Sequence, residues 1–392
     1  MQKVLVTDCE SRKALCAVRS LGKQGFHVIA GSDKKINMSR SSKYCASFVH
    51  LPNPIDEKDI FLEELESVID AYEIDVVMPM EDETVGLIIS NIEVLNNTKT
   101  LLPEYDSFMI ARDKGKTMKN AIEHGITCPT TYFLNDINEL QEIISHIEYP
   151  AIIKPRLSSG SRGIAYVENS EQLNSKYKEI HEDYPLPIVQ RYITGEFDKI
   201  QVLVILDQNH ELKAACTYQG IREFPVEGGP VTLWKTISLP EIENKTIEFM
   251  KKIRWTGFAE VEFIVDQRTG EYFLMEINPR FSANIALAVQ LGTDFPNVFA
   301  KLALNKKIDL LKNNKFEEYC QWLIPGDILN FVFNKDRFEQ EIGYFLKKPT
   351  NIHYAIFSKD DFKPIVANVF SLILNTFGNI KNLKAKLSSS KR

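Results

Sequence analysis

The sequence predicts an α/β fold: a parallel sheet covered by helices first, then an α+β region, then a helical extension. Three observations carry this. Two apolar runs, KVLVT at Lys3–Thr7 and GFHVIA at Gly25–Ala30, flank Ser11–Gly22, whose apolar residues recur at helical spacing. Such a βαβ opening requires parallel strands with the helix laid over them. Beyond residue 150, short strand-like runs look mostly antiparallel, with helices between them. Finally, at one domain per ~150 residues, a chain of 392 has room for two or three domains.

The elements follow in order. Asp59–Tyr72 has the spacing of an amphipathic helix, and Asp75–Pro79 (DVVMP) that of a buried strand, so a first α/β domain is expected over 1–110. Helices are expected at Lys116–His124 and Ile137–Ile147, around a short strand at Thr130–Leu134. Ala151–Lys154 (AIIK) is a strand entering a Ser/Gly-rich loop, with Gly163–Val167 after it. Further strands are expected at Ile188–Gln190, Lys199–Leu206, Leu212–Gln219, Val261–Val265 and Tyr272–Glu276. These place one subdomain at 111–185 and a second at 186–305. Residues 306–392 are expected to be helical or irregular. There is no internal repeat.

Composition excludes several function classes. Hydrophobic residues at 44% and charged residues at 26% suit a soluble globular chain with a sizeable core. A net charge of −6 provides no global basic field for nucleic acid, and no basic patch interleaved with aromatics replaces it. The six cysteines are scattered without a CxxC pair and the seven histidines form no HExxH, against structural zinc and a disulfide framework. Unpaired cysteines fit a reducing compartment. The opening MQKVLVTDCE lacks a signal-peptide core, and no apolar run reaches the ~18–20 residues that span a bilayer. The expected location is cytoplasmic.

Three segments carry candidate chemistry. In AIIKPRLSSGSRGI, Lys154 ends a strand and Ser158–Gly163 follow as a flexible loop. Small residues let backbone N–H groups approach phosphate oxygens, and Lys154 and Arg162 add positive charge. The segment is neither a Walker A loop nor a GxGxxG, and a solvated turn is the competing reading. In IVQRYITGEF, a strand edge can present backbone N–H and C=O to a purine, and Glu196 can accept ribose hydroxyls. An ordinary hairpin with a surface Glu fits those residues equally.

The third segment is a pair of strands, GFAEVEFIV at Gly257–Val265 and EYFLMEINPRF at Glu271–Phe281. Strand alternation puts Glu260 and Glu262 on one face, opposite Ala259, Val261 and Phe263. The turn between the strands brings Glu262 and Glu276 side by side near the hairpin's open end. Adjacent carboxylates repel unless a cation sits between them. Glu262, Glu276 and Asn278 supply only hard oxygen ligands, the set Mg²⁺ prefers when phosphates complete its shell. Arg280 can neutralise a phosphate or a developing oxyanion.

Taken in this order, Lys154 before the Gly/Ser loop, QRYITGEF, and GFAEVEF…FLMEINPRF resemble the ATP-grasp superfamily over nearly all of 1–305. The opening domain resembles the one that precedes the ATP-grasp fold in biotin carboxylase, carbamoyl phosphate synthetase and D-alanine–D-alanine ligase. The resemblance implies a two-subdomain ATP-grasp fold, with ATP and Mg²⁺ (or Mn²⁺ in its place) as cofactors. It implies that Lys114 and Lys154 bind nucleotide, with Ser159, Gly160, Ser161, Arg162 and Gly163 over the phosphates. It further implies that Arg191, Tyr192 and Ile193 meet the adenine through their backbone, with the Gln190 amide oxygen toward N6 and Glu196 on the ribose. Glu262, Glu276 and Asn278 would hold the metal, and Arg280 would face the γ-phosphate and the reacting carboxylate. Arg222 and Lys235, around EFPVEGGPV, are further candidates for phosphate or substrate contact. The Gln at 190 departs from the Glu often found there, and the lack of an extended glycine run argues against bicarbonate chemistry.

The implied activity is an ATP-dependent carboxylate–amine ligase working through an acyl phosphate on small-molecule substrates. Another ATP-grasp activity (carboxylation or phosphorylation) and a non-catalytic ATP-binding module are the alternatives. A homodimer is the ordinary expectation for such a chain. The apolar stretch 364–378, followed by Lys381, Lys384, Lys386, Lys391 and Arg392, fits either a packed terminal helix with a basic end or contact with a membrane surface.

Overall fold

The computed structural model describes residues 1–158, 160, 162–226, 228–334 and 351–374. The chain divides into two compact units. One comprises Met1–Thr100, Ala303–Lys306 and the described residues from Tyr354 onward; the other comprises Leu101–Leu302 and the described part of Lys307–His353.

The first unit is built on β1 (Lys3–Val6), α1 (Arg12–Lys23), β2 (His27–Ser32), β3 (Ser47–His50), α2 (Lys58–Tyr72), β4 (Val76–Met78) and α3 (Asp82–Ser90). Its four strands run parallel in the order β3-β2-β1-β4, as the βαβ opening predicts. The apolar residues of β1 and β2 are buried, which only a sheet covered by helices provides. Ser11 caps α1 by accepting from the Ala14 N–H, and the helix buries Leu15, Val18 and Leu21. The edge strand β3 was not among the expected elements. SFVH is too short and too polar to announce itself and becomes a strand by pairing with β2.

The second unit opens with α4 (Tyr105–Arg112) and α5 (Lys114–Glu123). A small antiparallel sheet follows, from β5 (Thr131–Tyr132), α6 (Leu140–Ile144), β6 (Ala151–Lys154), β7 (Ala165–Val167), α7 (Ser170–Asp183) and β8 (Ile188–Arg191). Its strand order is β5-β8-β6-β7, around a core that includes Leu140, Ile153, Val167, Leu173, Tyr177 and Val189.

The larger sheet comes from β9 (Phe197–Leu206), β10 (Leu212–Glu223), β11 (Val231–Thr236), α8 (Pro240–Lys252), β12 (Gly257–Asp266), β13 (Tyr272–Asn278), α9 (Ala286–Leu291), α10 (Phe295–Ala303), β14 (Leu311–Lys312), β15 (Tyr319–Gln321), α11 (Ile328–Phe333) and β16 (Ile352–Tyr354). The order is β13-β12-β9-β10-β11-β15-β16, with β14 pairing β10. Val202, Val204, Ala259, Val261 and Phe263 share a core with Ile242, Phe249 and Met250 of α8. Alternation therefore turns Gln201, Glu260 and Glu262 to the other face.

The segment from 306 onward differs from its expectation as a helical extension. It contributes β14, β15 and β16 to the large sheet, and residues 354–374 belong with the first unit. Strands of two or three residues carry no readable period; pairing to β10 and β11 makes them strands. The link back to the first unit is polar. Arg19 donates from Nε to Asp361 at 2.9 Å and from its two Nη atoms to the Ile356 and Asp361 carbonyls, and Ser42 Oγ donates to the same carboxylate.

Candidate active site

The register of the β12–β13 hairpin places Glu262 directly opposite Glu276 and Glu260 opposite Asn278. Residues so paired have Cβ atoms about 4.5–5.5 Å apart. On the other side of β12, Gln201 of β9 stands opposite Glu262, so one row across three strands reads Gln201, Glu262, Glu276. Asn278 donates its amide N–H to Glu262 Oε1 at 2.9 Å, which leaves its amide oxygen as the atom suited to a cation.

Two lysines of the small-sheet region come from different elements. Lys154 ends β6 as a buried side chain, and its Nζ donates to Gln190 Oε1 of β8 at 2.8 Å. Lys114 is the first residue of α5. Asp113 caps that helix, accepting from the Gly115 and Lys116 N–H groups, and is held in turn by Arg156 at 2.6–3.1 Å. The Lys114 Nζ donates to the Ser158 carbonyl at 2.8 Å and meets Glu276 Oε2 at 3.1 Å. One ammonium therefore joins the loop after β6 to the carboxylate pair of the large sheet.

The charges are strongly perturbed. Burial, then the facing Glu276 and the neighbouring Glu260, push the Glu262 carboxyl up to about 8. Burial alone would raise Glu276 too, but Lys114, and then Lys154 and Arg280, outweigh it and hold that carboxyl below its ordinary value. The two carboxyls titrate as a pair, pushed in opposite directions, with the charge favoured on Glu276 and the proton on Glu262. Burial likewise brings Lys154 down to about 8, with Lys114 in the same direction and Glu276 opposing.

That Lys154 value has a testable consequence. Its folded pKa of about 8 lies below the ordinary 10.5, so below pH 8 the native state carries a buried charge, and stability rises as pH climbs from 8 to 10.5. Replacing Lys154 with Met is expected to stabilise the ligand-free protein at pH 7 by about 2 kcal/mol, after the cost of leaving the Gln190 oxygen without its donor. The variant should also lack wild type's extra gain between those pH values. Urea denaturation at pH 7 and 10 checks this; a destabilised variant with the wild-type pH response would contradict it.

Arg280 follows β13, and its Nη1 donates to Glu260 Oε2 at 2.8 Å and to the Phe281 carbonyl. Ser282 donates to the other oxygen of Glu260, a side chain only 2% exposed. Asn284 then links Ser282 to Gln201 through bonds of 3.0 Å. Sequence reasoning missed Glu260, Ser282, Asp113 and Arg156 as parts of this site. The one available signal was the charge of Glu260 within an otherwise apolar alternation.

Other expected site residues lie as follows. Gly160 and Gly163 both have positive φ, and a Cβ at Gly163 would lie 2.7 Å from Pro155 and 2.8 Å from Tyr184, so this turn requires glycine. Arg162 is exposed beside them, whereas Ser159 and Ser161 lie outside the described residues. The N–H groups of Arg191 and Tyr192 already donate to the Thr130 and Pro150 carbonyls. Among the described residues, that leaves Ile193 as the one of the three whose amide donates to no backbone carbonyl. Glu196 is exposed at the entry to β9.

Three expected contact residues are engaged elsewhere. The Gln190 amide oxygen accepts from Lys154 and its amide nitrogen donates to Thr131, so this fully buried side chain holds the lysine rather than standing open to a purine. Arg222 is committed to a bidentate pair with Asp327, at 2.8 and 2.5 Å, and Asp327 also accepts from Thr232 and Gln321. It ties β10 to the segment before α11, whose return was not visible in sequence. Lys235 is similarly paired with Glu317 at 2.9 Å.

Comparison with known proteins agrees with this architecture. Residues 111–311 match the model of the carbamoyl-phosphate synthase L chain, ATP-binding domain. Acetyl-CoA carboxylase 1 of Oryza sativa subsp. japonica is 27% identical over 139 residues, which is 34% of this chain and only 6% of that protein. The biotin carboxylase of Campylobacter jejuni, solved as a β-γ-ATP complex, superposes with a TM-score of 0.67 at 19% identity, over 79% of this chain and 72% of that one. The L-amino acid ligase of Bacillus licheniformis gives 0.62 at 13% identity, over 79% and 75%. Those two likenesses establish a shared mixed α/β fold. With more than half of its length matched by the family model, the chain belongs to the carbamoyl-phosphate synthase L chain ATP-binding domain family, within the ATP-grasp superfamily.

Proposed function

We propose that this protein is an ATP- and Mg²⁺-dependent ligase that joins a small-molecule carboxylate to an amine through an acyl phosphate. The observation that carries the reading is the half-buried Glu262–Glu276 pair met by Lys114 at 3.1 Å. Among the described residues no three His, Cys, Asp or Glu side chains form a ready-made metal cage. Two carboxylates and an amide oxygen suit Mg²⁺, which binds through one or two carboxylates and completes its shell with phosphates and water. The raised Glu262 pKa supports that fit, because burial and then the facing Glu276 and neighbouring Glu260 disfavour its charge more than Arg280 and Lys199 favour it, a balance that a bound cation would reverse. Glu262, Glu276 and the Asn278 amide oxygen would hold Mg²⁺, which when bound would offset phosphate charge and make the γ-phosphoryl group transferable.

The chain's own residues then have distinct tasks. Lys114 and Lys154 would neutralise phosphate charge, and Gly160, Arg162 and Gly163, with Ser159 and Ser161, would close over the phosphates and exclude water. The Ile193 N–H and the neighbouring carbonyls would meet the adenine edge, with Glu196 accepting the ribose hydroxyls. Arg280, oriented by Glu260, would face the γ-phosphate and the substrate carboxylate. The carboxylate oxygen attacks the γ-phosphorus and ADP leaves; the amine nitrogen attacks the acyl carbon, phosphate leaves, and the amine gives up a proton.

Incubation with MgATP and pooled small carboxylates and amines tests this. Substrate-dependent ADP, with a product whose mass is acid plus amine minus water, is the expected result. ADP with a phosphorylated or carboxylated product would instead assign the site to the other ATP-grasp chemistries. ATP binding without any turnover would favour the non-catalytic alternative.

A further inference from the structure

Residues 363–374 form a helix that turns apolar side chains outward. Val366 is 61% exposed, Phe370 51% and Ile373 47%, with Phe362, Val369 and Leu374 exposed beside them. Positions 362, 366, 369, 370 and 373 fall on one stripe at helical spacing. Asn368 and Pro364 lie on the packed side instead, Asn368 being only 9% exposed. A helix that merely closed a domain would bury Val366, Phe370 and Ile373 and leave the asparagine in water. Contiguous exposed apolar residues of this size mark a docking surface.

The sequence that follows suggests what the stripe docks on. Residues 379–392 contain Lys381, Lys384, Lys386, Lys391 and Arg392 and no acidic residue, in a chain whose net charge is −6. An apolar helical face continued by a basic segment matches a surface that is apolar inside and anionic outside. No helix among the described residues is long and apolar enough to cross a membrane, so this geometry serves surface binding. We propose that the Val366–Phe370–Ile373 face docks the protein on a lipid bilayer, one that the basic sequence of 379–392 marks as anionic.

Co-sedimentation of the full chain with phosphatidylcholine vesicles, with and without about 30% phosphatidylserine, tests the proposal. Binding is expected to the anionic vesicles and to fall as salt rises. Phe370→Asp and Val366→Asp should each lower the bound fraction about tenfold or more, with no change in melting temperature because both side chains are exposed. A chain ending at Leu374 should lose the preference for anionic over neutral lipid. Phe370→Trp should keep binding and show a blue-shifted emission on the anionic vesicles. Full-length protein that stays in the supernatant with both lipids would overturn the proposal. So would a concentration-dependent dimer that Phe370→Asp dissociates in the absence of any lipid binding, since the stripe would then belong to a second copy.

Discussion

Glu276→Gln is expected to lower ATP turnover by about a thousandfold while leaving the fold intact. Glu276 is the point where the site's charges converge: it faces Glu262 across the hairpin, meets the Lys114 ammonium, and opposes the downward shift of Lys154. The amide keeps the shape of the side chain and removes its charge. Lys114 would then lose its ion pair and keep the Ser158 carbonyl, Glu262 would lose the charge that helps raise its pKa, and Lys154 would lose an opposing charge. A cation would find a single carboxylate in place of a pair. Steady-state kinetics under titration with Mg²⁺, beside a melting curve, separates the effects. A large loss of kcat with a nearly unchanged Tm is expected; wild-type turnover would remove Glu276 from the site.

The largest effect on stability is expected at Arg222, where a loss of about 3–5 kcal/mol should follow substitution by Met. The guanidinium is 7% exposed and its Asp327 partner 1%. Removing the arginine leaves a carboxylate in the interior with, among the described residues, Thr232 and Gln321 as its side-chain donors. Changing both together, Arg222→Met with Asp327→Leu, should recover most of the loss, because the penalty belongs to the uncompensated charge. Urea denaturation of the two single variants and the double variant measures this coupling. Additive losses would mean that the pair contributes no more than packing. The same experiment bears on function, since a phosphate-binding Arg222 would cost affinity for ATP and little stability.

These two residues also mark where reading the sequence succeeded and where it stopped. The Glu262–Glu276 pair was legible only in part: alternation assigns Glu262 its face, but a β-bulge between Glu262 and Phe263 sets it opposite Glu276, where a regular register carried from Val265 and Tyr272 would have met Met275. The parallel opening was legible for a similar reason, since β1, α1 and β2 carry clear and different periods. Arg222 and Asp327 lie 105 positions apart, and neither residue's neighbourhood signals the other. The Asp113–Arg156 clamp, 43 positions apart, was hidden in the same way, although it places Lys114. Gln190 was read from its position in a motif, whereas its hydrogen bonds are decided by Lys154 and Thr131 on neighbouring strands. Local chemistry was visible in the chain; partners chosen by tertiary packing were not.

The acyl-phosphate route is tested most directly with a substrate carboxylate labelled in both oxygens with ¹⁸O. If the carboxylate attacks the γ-phosphorus, phosphate released with the product carries one ¹⁸O and the amide keeps the other. Unlabelled phosphate accompanying an amide product, or AMP in place of ADP, would contradict the account.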